Sequence, residues 1–164
     1  FKLITTYEEN LLGTAGTLIS NKEIFFDSTC ILIHADNFTT FNLKYLVDAH
    51  YKRPENCLIT MLTFLTKTPE SCGIVEVDSL GVVKSFSEKS SNPPGNLANG
   101  AIYVFDSDFL EWLIKNHAKA FDFSIDVIPN LIGKIYTYQT NQPFIDIGTK
   151  STLEEAQKLA KKLN

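Results

Sequence analysis

The run Thr29–Ala35 (TCILIHA) restricts the possible fold more than any other part of the sequence. It has the length of one β-strand, and its apolar residues follow one another instead of alternating with polar ones. Runs of this kind fit strands that are buried on both faces, as in a sheet covered by helices on either side. We therefore predict that Thr29–Ala35 is a central strand of an α/β protein.

Strand-like and helix-like segments alternate along the rest of the chain, which is typical of an α/β sheet. Further strands are predicted at Lys2–Glu8, Leu58–Leu65, Ile74–Val77, Val82–Phe86, Ala101–Phe105 and Lys134–Thr140. The segment Asp78–Gly81 is predicted to be a hairpin turn, in which Gly81 supplies the special backbone angle. Helices are predicted at Gly13–Ser20, between the N-cap Asn42 and Pro54, at Phe109–Asn116, near Ser124 and after Thr149. Ser151 and Glu154 have the spacing of a capping box for the last helix.

Length and charge narrow the class of function. The chain has 164 residues, which predicts a single domain over residues 1–164, and 44% of them are apolar, as in globular proteins. The formal net charge of −4 argues against binding to nucleic acid or to a membrane surface, because both require a positive field. No apolar run reaches the roughly 20 residues that cross a bilayer. We expect neither a nucleic-acid nor a membrane partner.

The cysteines and histidines give no metal or redox signature. Cys30, Cys57 and Cys72 follow no zinc or redox spacing, and no pattern ties a histidine or an acid to any of these thiols. This favours a reducing, cytoplasmic setting. His34 and His50 are expected to be core residues with satisfied hydrogen bonds, so we predict no zinc site.

Two acids are placed where ligands bind in open α/β sheets. Asp36 directly follows the buried run, and Asp146 interrupts the apolar segment Pro143–Gly148. Buried carboxylates are costly unless they are paired or bind a metal, and two carboxylates with a phosphate suit Mg²⁺. Alternatively, Asp36 caps a turn and Asp146 caps the loop that follows it. The spacing alone leaves both readings open.

Three further segments have both a functional and a structural reading. The small residues Gly13–Gly16 precede a predicted helix and could approach an anion, although many turns have this composition. Glu88 and Lys89 follow a strand and could hold sugar hydroxyls and a phosphate, or could form an exposed pair of charges. Asn99 opens a strand, where it could bind a ligand or make a turn.

Taken in order, these segments resemble the sugar-1-phosphate nucleotidyltransferase family, which includes thymidylyl-, guanylyl- and uridylyltransferases. The resemblance spans nearly the whole chain. It rests on Glu8–Gly16 (similar to E-x-x-P-L-G-T-A-G), Ile33–Asn37 (G-D-N), Gly73–Lys89 (G-V-V-E-x-D…G…F-x-E-K-P), Ala98–Tyr103 (N-A-G-I-Y) and Phe144–Thr149 (W-x-D-x-G-T). The departures, at Leu12, Ala35, Cys72, Ser90 and Phe144, remove no charged group.

The resemblance implies a Rossmann-like, mixed and mostly parallel sheet flanked by helices. It also implies Mg²⁺ as cofactor, held by Asp36 and Asp146, with Lys89 on the sugar phosphate as the third catalytic residue. The implied substrate-binding residues are Gly13, Thr14 and Ala15 beside the nucleotide base, and Gly73, Glu88, Lys89 and Asn99 around the sugar.

The implied reaction joins a nucleoside triphosphate to a sugar-1-phosphate and releases pyrophosphate. The Phe144–Thr149 segment favours mannose- or heptose-1-phosphate guanylyltransferases. Family members begin with a G-x-G-T-R-L loop that holds the triphosphate, and the sequence shows no such loop. We therefore expect the C-terminal two-thirds of the family's domain, without its first strand–loop–helix unit and inactive alone. An incomplete sheet would favour a homo-oligomer.

Two other functions stay open from the sequence. A non-catalytic nucleotide-sugar-binding or regulatory module would keep the sugar pocket without the triphosphate loop. A metal-dependent glycosyltransferase would need a D-x-D motif at the strand end, and Asp36-Asn37-Phe38 lacks the second acid.

Overall fold

The computed structural model describes residues 2–163 and gives them eight strands and four α-helices. The strands are β1 (Cys30–Ile33), β2 (Asn37–Thr39), β3 (Ile59–Leu65), β4 (Gly73–Val77), β5 (Val83–Glu88), β6 (Leu97–Phe105), β7 (Ile135–Thr140) and β8 (Phe144–Asp146). The helices are α1 (Gly13–Ser20), α2 (Leu43–His50), α3 (Ser107–His117) and α4 (Lys150–Leu163), with short helical turns at Lys22–Ile24, Pro69–Ser71, Phe123–Val127 and Ile128–Leu131.

Six strands form one sheet around the long strand β6. One edge of β6 pairs with β3 along its length, and β7 continues the sheet beyond β3. The other edge of β6 is shared, because β1 pairs with residues 102–105 and β4 pairs with Ala98. β5 is the outer partner of β4, and β2 and β8 form a separate two-stranded ladder.

The sheet is mixed, as the resemblance implies. β1, β3, β4 and β7 run in one direction, and β5 and β6 run the opposite way. Most strands therefore share a direction. Within residues 2–163, however, β3 and β7 are the only neighbouring strands that pair in parallel, because the antiparallel strand β6 lies between β1 and β3.

Helices cover both faces of the sheet. On one face, α1, α3 and the turns of residues 123–131 bury the main core, which includes Leu18, Met61, Phe105, Phe109 and Leu131. On the other face, α2 packs Leu46 against Leu62 and Val104. Burying one such side chain stabilises the fold by roughly 1.5–3 kcal/mol. None of the helices in the described part of the chain is long and apolar enough to cross a membrane.

The β4–β5 hairpin forms as predicted around Gly81, whose φ of 79° favours glycine. The Asp78 carboxylate accepts the backbone N–H groups of Leu80 and Val82, at 2.8 and 2.9 Å, and fixes the turn. The Gly81 carbonyl then accepts the N–H of Thr137 in β7, at 2.9 Å. The hairpin turn is thereby tied to the far edge of the sheet.

The prediction that Thr29–Ala35 is buried on both faces is wrong. Ile31 and Ile33 keep 38% and 43% of their surface exposed. The reason is position, because β1 pairs with β6 on one side and has no strand partner on the other among residues 2–163. α2 covers the middle of this face and leaves the edge strand open.

Two local predictions also differ from the structure. Residues 2–7 form no strand, because no other strand of the described chain pairs with them. The last helix begins after Thr149, as predicted, but the capping box is not Ser151 and Glu154. Instead, the hydroxyls of Thr149 and Thr152 each accept the other's backbone N–H at 3.2 Å. Asn42 caps α2 as predicted, since its side chain accepts the Lys44 N–H at 3.0 Å.

Candidate functional site

The β2–β8 ladder brings the two predicted acids next to each other. Asn37 lies directly opposite Asp146 in this ladder, and Asp36 is the residue before Asn37. The N–H of Ile147 donates to the carbonyl of Asp36 at 2.8 Å, which extends the ladder past both acids. Residues far apart in sequence are therefore adjacent at the end of β1.

The carboxylates of these acids are differently engaged. Both residues are exposed. Asp146 accepts the Gly148 N–H at 2.8 Å through Oδ1, so the predicted loop-capping role is also present. The Asp36 carboxylate has no hydrogen-bond partner in the described part of the chain, so it does not cap a turn. One carboxylate is held by the backbone, and the other is open to a ligand.

The acid pair suits a metal that also binds phosphate. No group of three or more His, Cys, Asp or Glu side chains that could hold a metal occurs within residues 2–163. Mg²⁺ commonly takes one or two carboxylates and completes its shell with substrate phosphates and water. Asp36 and Asp146 supply that number of hard oxygen ligands, so the residues fit Mg²⁺ bound together with a phosphate.

Asn37 connects the acid ladder to the central strand β6. Its side-chain amide donates to the carbonyl of Gly100 at 3.1 Å. Gly100 also admits Phe144 of β8, because a Cβ at this position would lie 3.3 Å from the Phe144 ring and 3.0 Å from the Leu62 carbonyl. The position of the acids is thus set by β6, next to Asn99.

Gly73, Glu88 and Lys89 form the second part of the site. Gly73 and Glu88 lie opposite each other in the β4–β5 ladder, and a Cβ on Gly73 would lie 2.6 Å from Glu88 Oε2. Burial raises the pKa of the Glu88 carboxyl, Lys89 lowers it and Asp122 raises it further. Lys89 follows with a φ of 43°, and its N–H donates to the Cys72 carbonyl at 3.2 Å.

Asn99 lies at a bulge in β6, where the pairing with β3 shifts register. Its side chain accepts the N–H of Ala101 at 2.9 Å and donates to the Tyr103 hydroxyl at 2.7 Å. Burial raises the pKa of Tyr103 well above its ordinary value, and the negative charge of Glu88 adds to this rise. Glu88, Asn99 and Tyr103 therefore belong to one electrostatic cluster.

Gly13, Thr14 and Ala15 are engaged with another part of the chain. The Thr14 hydroxyl accepts the Phe123 N–H at 2.8 Å, and the Ala15 N–H donates to the Phe121 carbonyl at 3.0 Å. A Cβ on Gly13, whose φ is 72°, would lie 2.3 Å from the same carbonyl. These contacts fix the start of α1, and contact of the three residues with a nucleotide base stays a prediction.

The structure thus gathers most predicted residues into two neighbouring groups, the acid pair and the cluster around Glu88 and Asn99. An open groove of about 850 Å³ extends from Asp146 to Cys72, the residue before Gly73. Sequence reasoning assigned no role to Asn37 or Tyr103. Asn37 stands beside Asp36 in one of the family-like motifs and Tyr103 ends the motif that contains Asn99, so both could have been found there.

Fold and site together define an α/β protein that gathers carboxylate, amide and amine groups at the end of a mixed sheet, where such proteins bind ligands. A sequence model described as "Nucleotidyl transferase" matches residues 2–162, and the chain belongs to that family. The family that the sequence motifs resemble is therefore confirmed.

Two proteins with sequences similar to this chain are named glucose-1-phosphate adenylyltransferase. The chain is 27% identical over 154 residues to the glucose-1-phosphate adenylyltransferase of Clostridium acetobutylicum. The matched region covers 88% of this chain and 40% of that protein. The chain is 26% identical over 155 residues to the enzyme of that name from Thermotoga sp. strain RQ2, covering 88% and 37%. The chain thus spans about two fifths of the length of these relatives.

A solved structure shows the same fold. It is a crystal structure from Bacillus anthracis in complex with a sucrose, described as a glucose-1-phosphate thymidylyltransferase. The two superpose with a TM-score of 0.81 at 21% identity, over 96% of this chain and 64% of that one. The Rossmann-like mixed α/β architecture is confirmed.

Proposed function

We propose that this chain takes part in the transfer of a nucleotidyl group from a nucleoside triphosphate to a sugar-1-phosphate, with release of pyrophosphate. The observation that carries the proposal is the β2–β8 ladder, which brings the backbones of Asp36 and Asp146 together beside Gly100 of β6. Membership of the nucleotidyl transferase family supports the same reaction class.

The residues of the site would have two roles, the neutralisation of phosphate charge and the positioning of the sugar phosphate. Asp36 and Asp146 would hold Mg²⁺, which supplies neutralisation of phosphate charge when it is bound. Lys89 would orient the sugar phosphate, and Glu88 would accept hydrogen bonds from sugar hydroxyls. A sugar-1-phosphate oxygen is already ionised, so alignment of this oxygen with the α-phosphorus is the main task of the protein.

The names of the relatives favour a hexose-1-phosphate acceptor. They specify glucose-1-phosphate with adenylyl or thymidylyl transfer, and the expected preference for mannose- or heptose-1-phosphate with guanylyl transfer has no support from these names. A test must therefore vary both the base and the sugar.

The experiment is an assay of pyrophosphate release by the full-length product of the gene, with Mg²⁺, each common nucleoside triphosphate and a set of aldose 1-phosphates. We expect Asp36→Asn and Asp146→Asn to lower kcat by about 100-fold or more, because each removes charge stabilisation at the reacting phosphates. Asp48→Asn is the matched control, since Asp48 lies on the exposed face of α2 in an ion pair with Lys44.

Two outcomes would contradict the proposal. Release of no pyrophosphate from any pair of substrates would exclude the transfer reaction, and nucleotide-sugar binding without turnover would then favour a non-catalytic module. Full activity in both aspartate variants would exclude the acid pair as the reaction site.

A further inference from the structure

Thr63 carries a buried hydroxyl next to the candidate sugar site, which consists of Gly73, Glu88, Lys89 and Asn99. Thr63 lies in β3 and has no exposed surface, and its Oγ1 atom has no hydrogen-bond partner among residues 2–163. A buried hydroxyl without a partner costs free energy, whereas a methyl group of the same shape does not. The fold alone therefore gives no reason for a threonine at this position.

The register of the sheet places Thr63 beside Asn99. The two residues lie directly opposite each other in the pairing of β3 with β6. Two residues earlier in β3, Met61 lies opposite Tyr103, and both belong to the main core. Alternate residues of a strand point to the same face, so Thr63 faces the same side of the sheet as Met61. The Asn99 amide reaches the Tyr103 hydroxyl at 2.7 Å on that side, so the side chains of Thr63 and Asn99 are neighbours.

Asn99 has hydrogen-bonding capacity that the described part of the chain does not use. Its Oδ1 atom accepts the N–H of Ala101 at 2.9 Å, and its Nδ2 atom donates to Tyr103. An asparagine side chain has a further amide hydrogen and a further lone pair beyond those that these bonds use. Asn99 is only half-buried, so a ligand can reach the Thr63–Asn99 pair from the side of Asn99.

The surroundings of this pair are polar and strained, as expected beside a binding site. Burial raises the pKa of the Tyr103 hydroxyl, and the charge of Glu88 raises it further, so the Glu88 carboxylate is close to the Asn99–Tyr103 hydrogen bond. The β6 bulge next to Asn99 includes Ala101, whose φ is 50°. Bulges and strained residues concentrate where structure serves binding.

A single ligand oxygen can bond to both side chains of the pair. Directly opposed residues of antiparallel strands have Cβ atoms about 4.5–5.5 Å apart, and two hydrogen bonds of about 2.8 Å span such a separation. A ligand hydroxyl can accept the free amide hydrogen of Asn99 and donate its own hydrogen to Thr63 Oγ1. This arrangement satisfies the buried hydroxyl that the described chain leaves without a partner.

We propose that Thr63 is a specificity-determining residue of the sugar site, and that it holds one hydroxyl of the sugar-1-phosphate together with Asn99. The inference rests on the proposed function and adds to it a residue to which the sequence gave no role. The ligand hydroxyl enters past Asn99, because Thr63 itself has no exposed surface. A site that bonds a hydroxyl rejects an analogue without it, because the buried polar group is then left unpaired.

The test compares sugar phosphates that differ by a single hydroxyl. Glucose, mannose and galactose 1-phosphate, and the monodeoxy derivatives of the tightest of them, are titrated by calorimetry into the full-length product of the gene with Mg²⁺. The loss in affinity on removal of each hydroxyl is the deoxy penalty. We expect Thr63→Val to reduce the deoxy penalty at one hydroxyl about five- to tenfold, as the loss of one hydrogen bond provides, and to leave the other deoxy penalties unchanged.

Two further threonine variants separate binding from folding. Thr63→Ser keeps a hydroxyl and is expected to keep every deoxy penalty. Thr60→Val is the matched control, because Thr60 is also fully buried in β3 but its hydroxyl lies 2.9 Å from Nδ1 of His50. We expect Thr60→Val to lower the midpoint of urea unfolding and to keep the deoxy penalties. Thr63→Val should keep or raise the midpoint, because it removes an unpaired polar group.

The outcomes separate this inference from the proposed function. The same deoxy penalties in Thr63→Val and in the unaltered protein would overturn the inference and leave the function standing. A urea midpoint that falls as far in Thr63→Val as in Thr60→Val would overturn it as well, because the fold itself would then use the Thr63 hydroxyl. Binding of none of the sugar phosphates would overturn the proposed function, and the inference with it.

Discussion

Lys89 and Ala101 carry a backbone conformation that most residues avoid. Three non-glycine residues of the described chain have a positive φ, and two of them, Lys89 at 43° and Ala101 at 50°, border the candidate sugar site. This conformation costs roughly 1–2 kcal/mol for a residue with a Cβ. Strained residues concentrate where structure serves binding, so both positions support the assignment of the site to this region.

The cost at Ala101 can be measured. We expect Ala101→Gly to raise the free energy of unfolding by about 0.5–1 kcal/mol, because glycine adopts a positive φ without steric penalty. Ala98→Gly is the matched control in the same strand, and we expect it to lower stability, since Ala98 is fully buried and its φ is negative. Urea unfolding measures both, and a loss of stability in Ala101→Gly would contradict the strain.

His50 is a second residue whose environment has measurable consequences. Its ring is fully buried, with Nδ1 2.9 Å from the Thr60 hydroxyl and Nε2 3.1 Å from Asp106. Burial lowers the pKa of His50, as does Arg53, while Asp106 opposes both. The imidazole of His50 therefore stays neutral to lower pH in the folded protein than in the unfolded chain, where it binds a proton below the ordinary histidine pKa of 6.5.

The sign of the pH effect follows from this difference. As pH falls below 6.5, protonation of the unfolded chain lowers the free energy of unfolding. We expect His50→Gln to lose about 1–3 kcal/mol at pH 7.5, because buried hydrogen bonds are broken, and to show a weaker decline between pH 7.5 and 5.5. Urea unfolding at both pH values tests this, and an unchanged decline in the variant would contradict it.

At the scale of elements, the docking of α1 depends on one glycine. Gly13 begins the helix against the backbone of Phe121, and hydrogen bonds from Ala15 and to Thr14 complete the contact. Helices this short are marginal in isolation, so α1 owes its stability to this packing.

Two glycines in α1 provide a matched comparison. Gly13→Ala should cost roughly 2 kcal/mol or more, because its Cβ would lie 2.3 Å from the Phe121 carbonyl and its φ is positive. Gly16→Ala should change stability by less than about 1 kcal/mol, because better helix propensity offsets a 3.1 Å approach to the Leu12 Cβ. Thermal unfolding of both variants measures this, and equal costs would contradict the role of Gly13.

Sequence reasoning succeeded where a local pattern decides the structure. Asn42, the β4–β5 turn at Gly81 and the run Leu58–Leu65 all formed as predicted, since caps, turns and strand composition are local properties. It failed at β1, where exposure depends on which strands lie alongside. The acids were found as candidates, but only the pairing of β2 with β8 shows that they are neighbours.

His34 and His50 illustrate the same limit. The prediction for His50 is confirmed, because Thr60 and Asp106 satisfy its ring. The prediction for His34 is wrong, because its buried Nε2 has no hydrogen-bond partner in the described chain. Both stand in apolar surroundings in the sequence, and only the three-dimensional neighbours separate them.

For the molecule as a whole, the open edge of β1 is the main feature that affects association. β1 has no charged residue and no proline, and Ile31 and Ile33 are exposed beside an edge without a strand partner in residues 2–163. Unprotected edges of this kind pair readily with strands of other chains. We therefore expect self-association of this chain through β1.

Sedimentation over a range of concentrations tests this expectation. Ile33→Lys should raise the dissociation constant of any dimer roughly tenfold or more, because a charge on the edge opposes strand pairing. Leu80→Lys adds the same charge at the distant hairpin tip and should leave association as it is. A role for β1 would be contradicted if the unaltered chain sedimented as a monomer. It would also be contradicted if the two lysine substitutions changed association equally.

The β2–β8 ladder also sets the moment at which the acid pair can exist. Asp146 leaves the ribosome on the order of ten seconds after Asp36 at ordinary rates of translation. Every strand of the six-stranded sheet is synthesised before β8. A nascent chain therefore cannot present the two carboxylates together until β8 has been made, so any metal or phosphate that needs both acids binds only after all six strands of the sheet have been synthesised.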